Sequence, residues 1–215
     1  MHRFDLSHVL EHQMTTYPGL PGPEVGEYLT FEGSASHYAA GTEFAIGQVS
    51  MVANTGTYID TPAHRYRDGH DLSELLLQRC TLLPAVVIDG DGPIGPPTLS
   101  GSAVEGCAVL LRTGWDRHWG TNRYGDPDHP HLTEAGADWL VTHGAVLVGI
   151  DSVNIDDTTT GQRPAHTVLL SAEIPIVEHL TGLSALPKTG AYFTAVPPAI
   201  RGLATFPVRA FATVW

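Results

Sequence analysis

Five apolar runs rich in β-branched residues constrain the fold of this chain more than any other feature. They are AVVID (residues 85–89), AVLLRT (108–113), AVLVGID (145–151), AYFTAV (191–196) and VRAFATVW (208–215). Runs of this length and composition predict β-strands. The middle three are almost continuously apolar, which is typical of strands covered on both faces. Weaker strand candidates lie near residue 4 and at residues 44–52.

Helical segments lie between these runs. The stretch TEAGADWLVTHG predicts a helix that has Thr133 as its N-cap and ends at Gly144. Shorter helices are predicted from Ser73 (SELLLQRC) and from Ala165 (AHTVLLSA), whereas IVEHLTGL fits either a strand or a helix. The mixture predicts an α/β fold with a sheet-dominated core, in one domain over residues 1–215. No Gly-rich turn joins an early strand to a helix, so a Rossmann fold is not predicted.

Charge and composition exclude several classes of partner. The 23 acidic and 11 basic residues give a formal charge of −12, without the Lys/Arg clusters that nucleic acid or an anionic membrane requires. The N-terminal residues lack the apolar stretch of a signal peptide, and no apolar run is long enough to span a bilayer, so we expect a cytoplasmic protein. Cys80 and Cys107 lie in apolar segments without CxxC spacing, which predicts buried free thiols.

Three polar clusters are candidates for chemistry. The first, ANTGTYIDTPAHRYRDGHDL, contains Asp60 and His64, a carboxylate and an imidazole that Zn²⁺ or Mn²⁺ accepts as ligands. The second, GIDSVNIDD, places Asp151 at the end of a predicted strand, where α/β proteins commonly bind ligands. The third supplies His166 and Glu178 on either side of an apolar segment. From the residues alone, surface histidines and a turn-capping Asp151 remain open alternatives.

The three clusters, in this order, resemble the cyclase family that includes bacterial kynurenine formamidases (arylformamidases) and isatin hydrolases. The resemblance covers nearly the whole chain, and it rests on DLSH, YPG, TGTYIDTPAH, DLSEL, RTGW, GIDS, AHTVLL, IPIVEHL and PVRAFA. It implies a swivelling β/β/α domain that assembles as a homodimer or homotetramer. No GxSxG elbow is present, so a serine hydrolase is a poor alternative.

The chain departs from the family's hallmark, His-x-Gly-Thr-His-x-Asp-x-Pro-x-His, at both leading histidines. Asn54 and Tyr58 replace them, while Asp60 and His64 are retained. In relatives with metal, the two histidines and the aspartate hold one ion, and the aspartate with a later histidine and glutamate holds a second. The resemblance therefore implies that this chain keeps one set of metal ligands. That set is Asp60, His166 and Glu178.

The implied activity is hydrolysis of a small aromatic amide, formamide or lactam by a metal-activated water. The cofactor would be one divalent ion, Mn²⁺, Zn²⁺ or Mg²⁺, or none, and the oxygen-rich ligand set favours Mn²⁺ or Mg²⁺. His64 is the implied general acid/base, with Tyr58 and Asn54 beside it and Tyr58 as a donor to the oxyanion. Substrate contacts are predicted at Phe44, Trp115, Trp119 and Asp151, with residues 115–131 as the specificity loop.

Two other functions remain open at this point. The first is a metal-free cyclase or dehydratase-type lyase, in which Tyr58 donates a proton to a carbonyl and His64 acts as the base. The second is a non-catalytic relative that binds a small ligand. The ionisable residues Asp60, His64, His166 and Glu178 occur together in one sequence, which favours an enzyme over this last alternative.

Overall fold

The framework of the protein is a nine-stranded mixed sheet, in a computed structural model that describes residues 1–215. Four central strands are parallel neighbours, and antiparallel strands flank them on both sides. The spatial order is β1 (His2–Asp5), β13 (Phe211–Val214), β11 (Ala191–Thr194), β5 (Leu83–Asp89), β7 (Ala108–Arg112), β9 (Leu147–Ile150), β10 (Ile176–Glu178), β4 (Tyr58–Asp60) and β12 (Thr205–Pro207). The predicted strands are confirmed, and VRAFATVW begins its strand later than the pattern indicated.

Two small sheets and four α-helices complete the fold. The small sheets pair β2 (Glu24–Leu29) with β3 (Ile46–Ser50) and β6 (Pro93–Ile94) with β8 (His131–Leu132). The helices are α1 (Phe31–Ser34), α2 (Pro96–Leu99), α3 (Glu134–Thr142) and α4 (Pro164–Ser171). Short 3-10 turns lie at Ala35–His37, Pro62–His64, Leu77–Arg79, Trp115–His118, Asn122–Gly125 and Leu183–Ala185. No helix has the length and hydropathy needed to cross a membrane.

A hydrophobic core lies on each face of the large sheet. Side chains alternate between faces along a strand, so neighbouring residues of β7 enter different cores. Val109 packs in the core formed with Leu140 of α3 and Leu169 of α4, whereas Leu110 packs in the opposite core with Phe193 of β11. All five side chains are fully buried. The central strands are therefore covered on both faces, as their apolar runs predicted.

Two helices begin and end close to the predicted positions. The Thr133 hydroxyl caps α3 by accepting a hydrogen bond from the backbone N–H of Gly136 at 3.1 Å, and Gly144 follows the helix in the left-handed conformation with φ of +76°. The second helix, α4, begins at Pro164, a residue favoured in the first turn. The ambiguous run IVEHLTGL contains the strand β10.

The helix predicted from Ser73 is wrong. The structure has only the 3-10 turn Leu77–Arg79 in this stretch. The Asp71 carboxylate accepts hydrogen bonds from the backbone N–H and the hydroxyl of Ser73 and, across the fold, from the backbone N–H of Gly202 at 2.6 Å. This side chain fixes a turn and ties it to a distant loop, so tertiary contacts override the local helix propensity.

Candidate active site

The strand β4 carries the centre of the site. Alternation along the strand places Tyr58 and Asp60 on the same face. The cross-strand register sets Glu178 of β10 opposite Tyr58, and Thr205 of β12 opposite Asp60. Asp60 also lies opposite Ile176, which packs in the core beneath α3 and α4. The register therefore brings four polar side chains together on the helix-covered face of the sheet.

A cavity of about 290 Å³ lies against these residues. This volume is near the lower end for small-molecule sites, so the cavity suits a compact ligand. A larger cavity of about 700 Å³, which His8 and Trp119 help to line, contains none of the clustered ionisable groups. The chemistry is therefore assigned to the smaller cavity. Its lining includes Asn54, Tyr58, His64, His166 and Glu178.

Tyr58, one of the two replacements in the hallmark, is bonded to Glu178. The Tyr58 hydroxyl donates a hydrogen bond to Glu178 Oε2 at 2.5 Å, and Asn54, the other replacement, lines the same cavity. Burial and the charges of Glu178 and Asp60 raise the pKa of Tyr58 well above its ordinary value, so the hydroxyl keeps its proton. The Ile155 N–H donates to Glu178 Oε1 at 2.6 Å. Tyr58 and the Ile155 N–H therefore fix the Glu178 carboxylate.

His166 lies in the first turn of α4, where Asp156 orients it. The Asp156 carboxylate accepts hydrogen bonds from the backbone N–H groups of Ala165 and His166, at 2.6 and 3.1 Å, and pairs with His166 Nδ1 at 2.6 Å. One side chain thus caps the helix and sets the orientation of the imidazole. His166 Nε2 then lies 3.8 Å from Asp60 Oδ2 and 3.7 Å from Glu178 Oε1.

Three carboxylates are buried around the single imidazole of His166. Asp60, Asp156 and Glu178 are each at most 1% exposed. Burial lowers the pKa of His166, but its contacts with Asp156, Asp60 and Glu178 outweigh burial and raise that pKa to about 10. Burial raises the pKa of Glu178 to about 7, with Asp60 adding to the effect and His166 opposing it. One imidazolium does not balance three buried carboxylates, and a divalent cation that took the place of the proton on His166 Nε2 would add positive charge to the site.

The carboxylate oxygen Asp60 Oδ2 is a candidate ligand for a cation. This oxygen is buried and has no hydrogen-bond partner, which is uncommon for a carboxylate. Asp60, His64 and His166 each offer a ligand atom, and these atoms lie within 4.8 Å of one another. Carboxylate and imidazole donors suit a divalent transition metal. This cluster contains His64, whereas the sequence predicted Glu178 as the third ligand beside Asp60 and His166.

Thr205 sets the orientation and the protonation pattern of His64. The Thr205 hydroxyl donates to Asp60 Oδ1 at 2.6 Å and lies 3.0 Å from His64 Nδ1. A hydroxyl has one proton, and here the carboxylate accepts it, so the Thr205 oxygen must accept a hydrogen bond from His64 Nδ1–H. We therefore assign a proton to His64 Nδ1. His64 Nε2 has no protein partner, and the side chain is 34% exposed and lines the cavity.

The aromatic residues predicted to contact substrate do not line this cavity. Trp115 is buried, and its indole N–H donates to the Tyr124 carbonyl at 2.9 Å. Trp119 stacks on His8 with ring centroids 3.8 Å apart and lines the larger cavity. Phe44 is 52% exposed between β2 and β3. Within one chain, these rings therefore pack against other residues or face solvent.

Asp151 and Asp156 belong to the same polar cluster, and the structure places only Asp156 at the site. Asp151 accepts hydrogen bonds from the backbone N–H groups of Thr113 and Gly114, at 2.7 and 3.0 Å, and it does not line the cavity. The alternative reading of Asp151, a turn-capping residue, matches these contacts. Asp156, which orients His166, was missed. A carboxylate shortly before a predicted helix is the sequence signal that could have identified it.

The sequence of this chain matches one family model and several known proteins. The family model described as "Putative cyclase" matches residues 4–157. A kynurenine formamidase from Bacillus mycoides is 30% identical over 209 residues, which cover 96% of this chain and 94% of that protein. One from Geobacillus thermodenitrificans is 35% identical over 139 residues, 63% of this chain and 64% of that protein.

Solved structures confirm the fold class. Isatin hydrolase A from Labrenzia aggregata, solved with benzyl benzoate, superposes with a TM-score of 0.86 at 24% identity, over 99% of this chain and 93% of that chain. The isatin hydrolase A of Ralstonia solanacearum gives a TM-score of 0.83 at 23% identity, over 100% of this chain and 92% of that one. These similarities establish the architecture, and the identities are too low to carry residue roles.

The hydrogen bond from Tyr58 to Glu178 predicts a measurable loss of stability in Tyr58→Phe. Removing the hydroxyl leaves a buried carboxylate oxygen without its donor, so we expect the free energy of unfolding to fall by about 1–3 kcal/mol. Tyr192→Phe is the control, because Tyr192 is 37% exposed on β11, away from the site and from the β2–β3 hairpin, and its effect should stay within about 0.5 kcal/mol. Urea unfolding at pH 8 with EDTA measures both. Equal stabilities of the two variants would contradict the assigned role of Tyr58.

Proposed function

Because this chain belongs to the cyclase family, we propose that it hydrolyses the carbon–nitrogen bond of a small aromatic amide, formamide or lactam. The relatives named kynurenine formamidase and the structural neighbours named isatin hydrolase support hydrolysis as the reaction class. The observation that carries the proposal is the position of His64, which bonds through Nδ1 to Thr205 and lines a small cavity beside buried carboxylates and His166. A group with this placement can move a proton in either direction.

We propose that Asp60, His166 and Glu178 hold one divalent cation, Mn²⁺, Zn²⁺ or Mg²⁺. Asp60 Oδ2 lacks a partner, and His166 Nε2 lies within 4 Å of both Asp60 and Glu178. A cation bound there supplies Lewis acidity toward the carbonyl and water, and it balances the excess of buried carboxylates. Tyr58 and the Ile155 N–H hold Glu178 in place, as outer-sphere hydrogen bonds do around metal ligands.

His64 carries the proton transfers in this proposal. Its Nε2 accepts a proton from the attacking water as the new carbon–oxygen bond forms. The same proton then passes to the departing nitrogen as the carbon–nitrogen bond breaks, so the products are a carboxylic acid and an amine. Thr205 holds the opposite ring nitrogen as a donor, and the Asp60 carboxylate, 3.7 Å from His64 Nδ1, stabilises the imidazolium between the two transfers.

Tyr58 acts in this proposal through Glu178 and does not contact the substrate as a proton donor. Its proton lies in the 2.5 Å hydrogen bond to Glu178, and its pKa is raised by burial and by the neighbouring carboxylates. A metal-free lyase would require this proton for the substrate carbonyl, at the cost of the Glu178 contact. The hydrogen bond therefore favours the hydrolase over the lyase.

We further propose that the chain forms a homodimer or homotetramer through the β2–β3 hairpin. Val25, Tyr28, Ile46 and Val49 of this hairpin are between 44% and 75% exposed. Large apolar side chains clustered on a protruding hairpin commonly mark an interface between subunits. A partner subunit would cover them. Phe44, which follows the same exposed segment, would lie close to that interface.

The free cysteines support a cytoplasmic location for the protein. Cys80 is buried and Cys107 is partly buried, and the two thiols are free. Disulfides persist mainly in oxidising compartments, so a chain with two unpaired thiols suits a reducing one. Burial raises the pKa of Cys80 to about 11, which keeps the thiol protonated and unreactive.

Disruption of the hairpin surface should dissociate the oligomer. The double variant Ile46→Asp/Val49→Asp places two charges on the exposed hairpin, and we expect it to sediment as a monomer while the unmodified protein sediments as a dimer or tetramer. Leu77→Asp is the control, because Leu77 is 61% exposed but lies in a separate turn. Analytical ultracentrifugation at micromolar concentration provides the measurement. A monomeric unmodified protein would refute the assembly.

His64→Ala should remove most of the hydrolytic activity while leaving substrate affinity nearly unchanged. Loss of a general acid/base typically lowers kcat by about 10²–10⁴-fold. His70→Ala is the matched control, because His70 lies in the same stretch, is 59% exposed and pairs with Glu173 outside the cavity. Hydrolysis of formanilide, followed by aniline release, compares the variants. If His64→Ala and His70→Ala turn over equally fast, the assignment of His64 as the general acid/base is contradicted.

A further inference from the structure

Two arginines line the same small cavity, although basic residues are scarce in this chain. Arg65 directly follows His64, and Arg163 lies at the start of the helix that carries His166. The chain has only 11 Lys and Arg residues against 23 acidic ones. The hydrolytic mechanism uses neither guanidinium. Their presence in the cavity therefore requires a separate explanation.

The structure ties the two arginines to each other. Arg65 Nε donates a hydrogen bond to Thr167 Oγ1 at 3.0 Å, and the Thr167 hydroxyl donates to the Arg163 carbonyl at 2.7 Å. Arg163 Nη1 donates to backbone carbonyls of its own loop, including that of Thr160 at 2.8 Å. Both guanidinium groups are thereby attached to the segment around the N-terminus of α4. A group bound by them has a defined position relative to His166.

Neither arginine is neutralised by the protein. Arg65 and Arg163 form no ion pair with a carboxylate, in contrast to Arg112 with Asp89. The hydrogen bonds above use Arg65 Nε and Arg163 Nη1, so the other N–H groups of both guanidiniums have no protein acceptor. Guanidinium forks with free N–H groups bind carboxylates strongly, through charge-assisted and often bidentate hydrogen bonds.

The cavity lining has no free carboxylate that could bind a positively charged group of a ligand. Glu178 is its only carboxylate, and it is 1% exposed and already bonded to Tyr58 and the Ile155 N–H. The rest of the polar lining consists of Tyr17, Tyr58, His64, His166 and the neutral amides Asn54 and Asn154. Because the proposed cation would balance the buried carboxylates, an ammonium group of the ligand would meet two guanidiniums and no free carboxylate. The cavity is therefore complementary to an anion and not to a zwitterion.

We propose that Arg65 and Arg163 bind a carboxylate on the substrate, which is an aromatic amide with a free acid group and no α-ammonium group. This inference rests on the proposed hydrolase function, because it names the substrate class of the same site. The lack of an α-ammonium group distinguishes this proposed substrate from an amino acid amide. The two arginines act as specificity-determining residues, and they take no part in the proton transfers.

Matched substrates test the inference through kinetics. The two probes are 4-formamidobenzoate, which carries the carboxylate, and formanilide, which lacks it. The unmodified protein should favour the anionic probe in kcat/KM by about tenfold or more, as a charge-assisted hydrogen bond implies. In Arg65→Gln and in Arg65→Gln/Arg163→Gln the preference should fall toward parity through KM. The kcat/KM for 4-formamidobenzoate should fall by much more than that for formanilide, and Arg65→Lys should restore part of the preference.

The control variant is Arg67→Gln, because Arg67 is exposed and does not line the cavity. It should retain the full preference for 4-formamidobenzoate. If Arg67→Gln reduces the preference as much as Arg65→Gln does, the effect comes from general surface charge and the inference is overturned. Circular dichroism spectra identify any variant that fails to fold, and Arg65→Gln alone leaves the loop contacts of Arg163 intact.

Calorimetric binding separates this inference from the proposed function. In His64→Ala, where turnover is removed, 4-formamidobenzoate should bind about tenfold or more tightly than formanilide and than the zwitterion 4-formamidophenylalanine. Absence of turnover with every probe would refute the hydrolase, while this binding order would still support the anion site. Equal affinity for the three probes, or tightest binding of the zwitterion, would overturn the inference even if the protein proves to be a formamidase.

Discussion

The burial of three carboxylates around one imidazole is the constraint on which the rest of the site depends. Asp60, Asp156 and Glu178 are almost fully excluded from solvent, and ionised groups in such a place must be paired or hydrogen-bonded. Asp156 is satisfied by the first turn of α4 and by His166. Asp60 keeps an oxygen without a partner. A bound cation would balance the negative charge of these buried carboxylates.

The two substitutions in the hallmark change which groups surround the buried carboxylates. Histidines at both positions would add neutral metal ligands, whereas Tyr58 supplies a hydrogen bond and Asn54 lines the cavity. The Tyr58 hydroxyl donates to Glu178, so one of the two substituted positions helps to hold a carboxylate in place. In the proposed function, this departure from the family pattern goes with one ion per chain, with Glu178 as a ligand and with His64 as the proton carrier.

The sequence was sufficient to predict the strands and the long helix because apolar periodicity and capping act locally. It could not predict that Thr205 would reach Asp60, because that contact depends on the register between β4 and β12, which are far apart in the chain. The helix predicted from Ser73 is absent for a similar reason, because Asp71 bonds to a loop that is distant in the chain. The ligand-type residues were visible in the sequence motifs shared with the family, Asp60 and His64 in the hallmark and His166 and Glu178 in the later motifs. Their hydrogen-bond partners, which decide their roles, were not.

Metal content of three purified proteins tests the central claim most directly. Elemental analysis of protein prepared without an affinity tag should find about one divalent ion per chain in the unmodified protein and in His64→Ala. Glu178→Gln, with an unchanged circular dichroism spectrum, should lose most of that ion because it removes a ligand. Retention of metal by Glu178→Gln together with its loss from His64→Ala would contradict the account. Two ions per chain in the unmodified protein would contradict it as well.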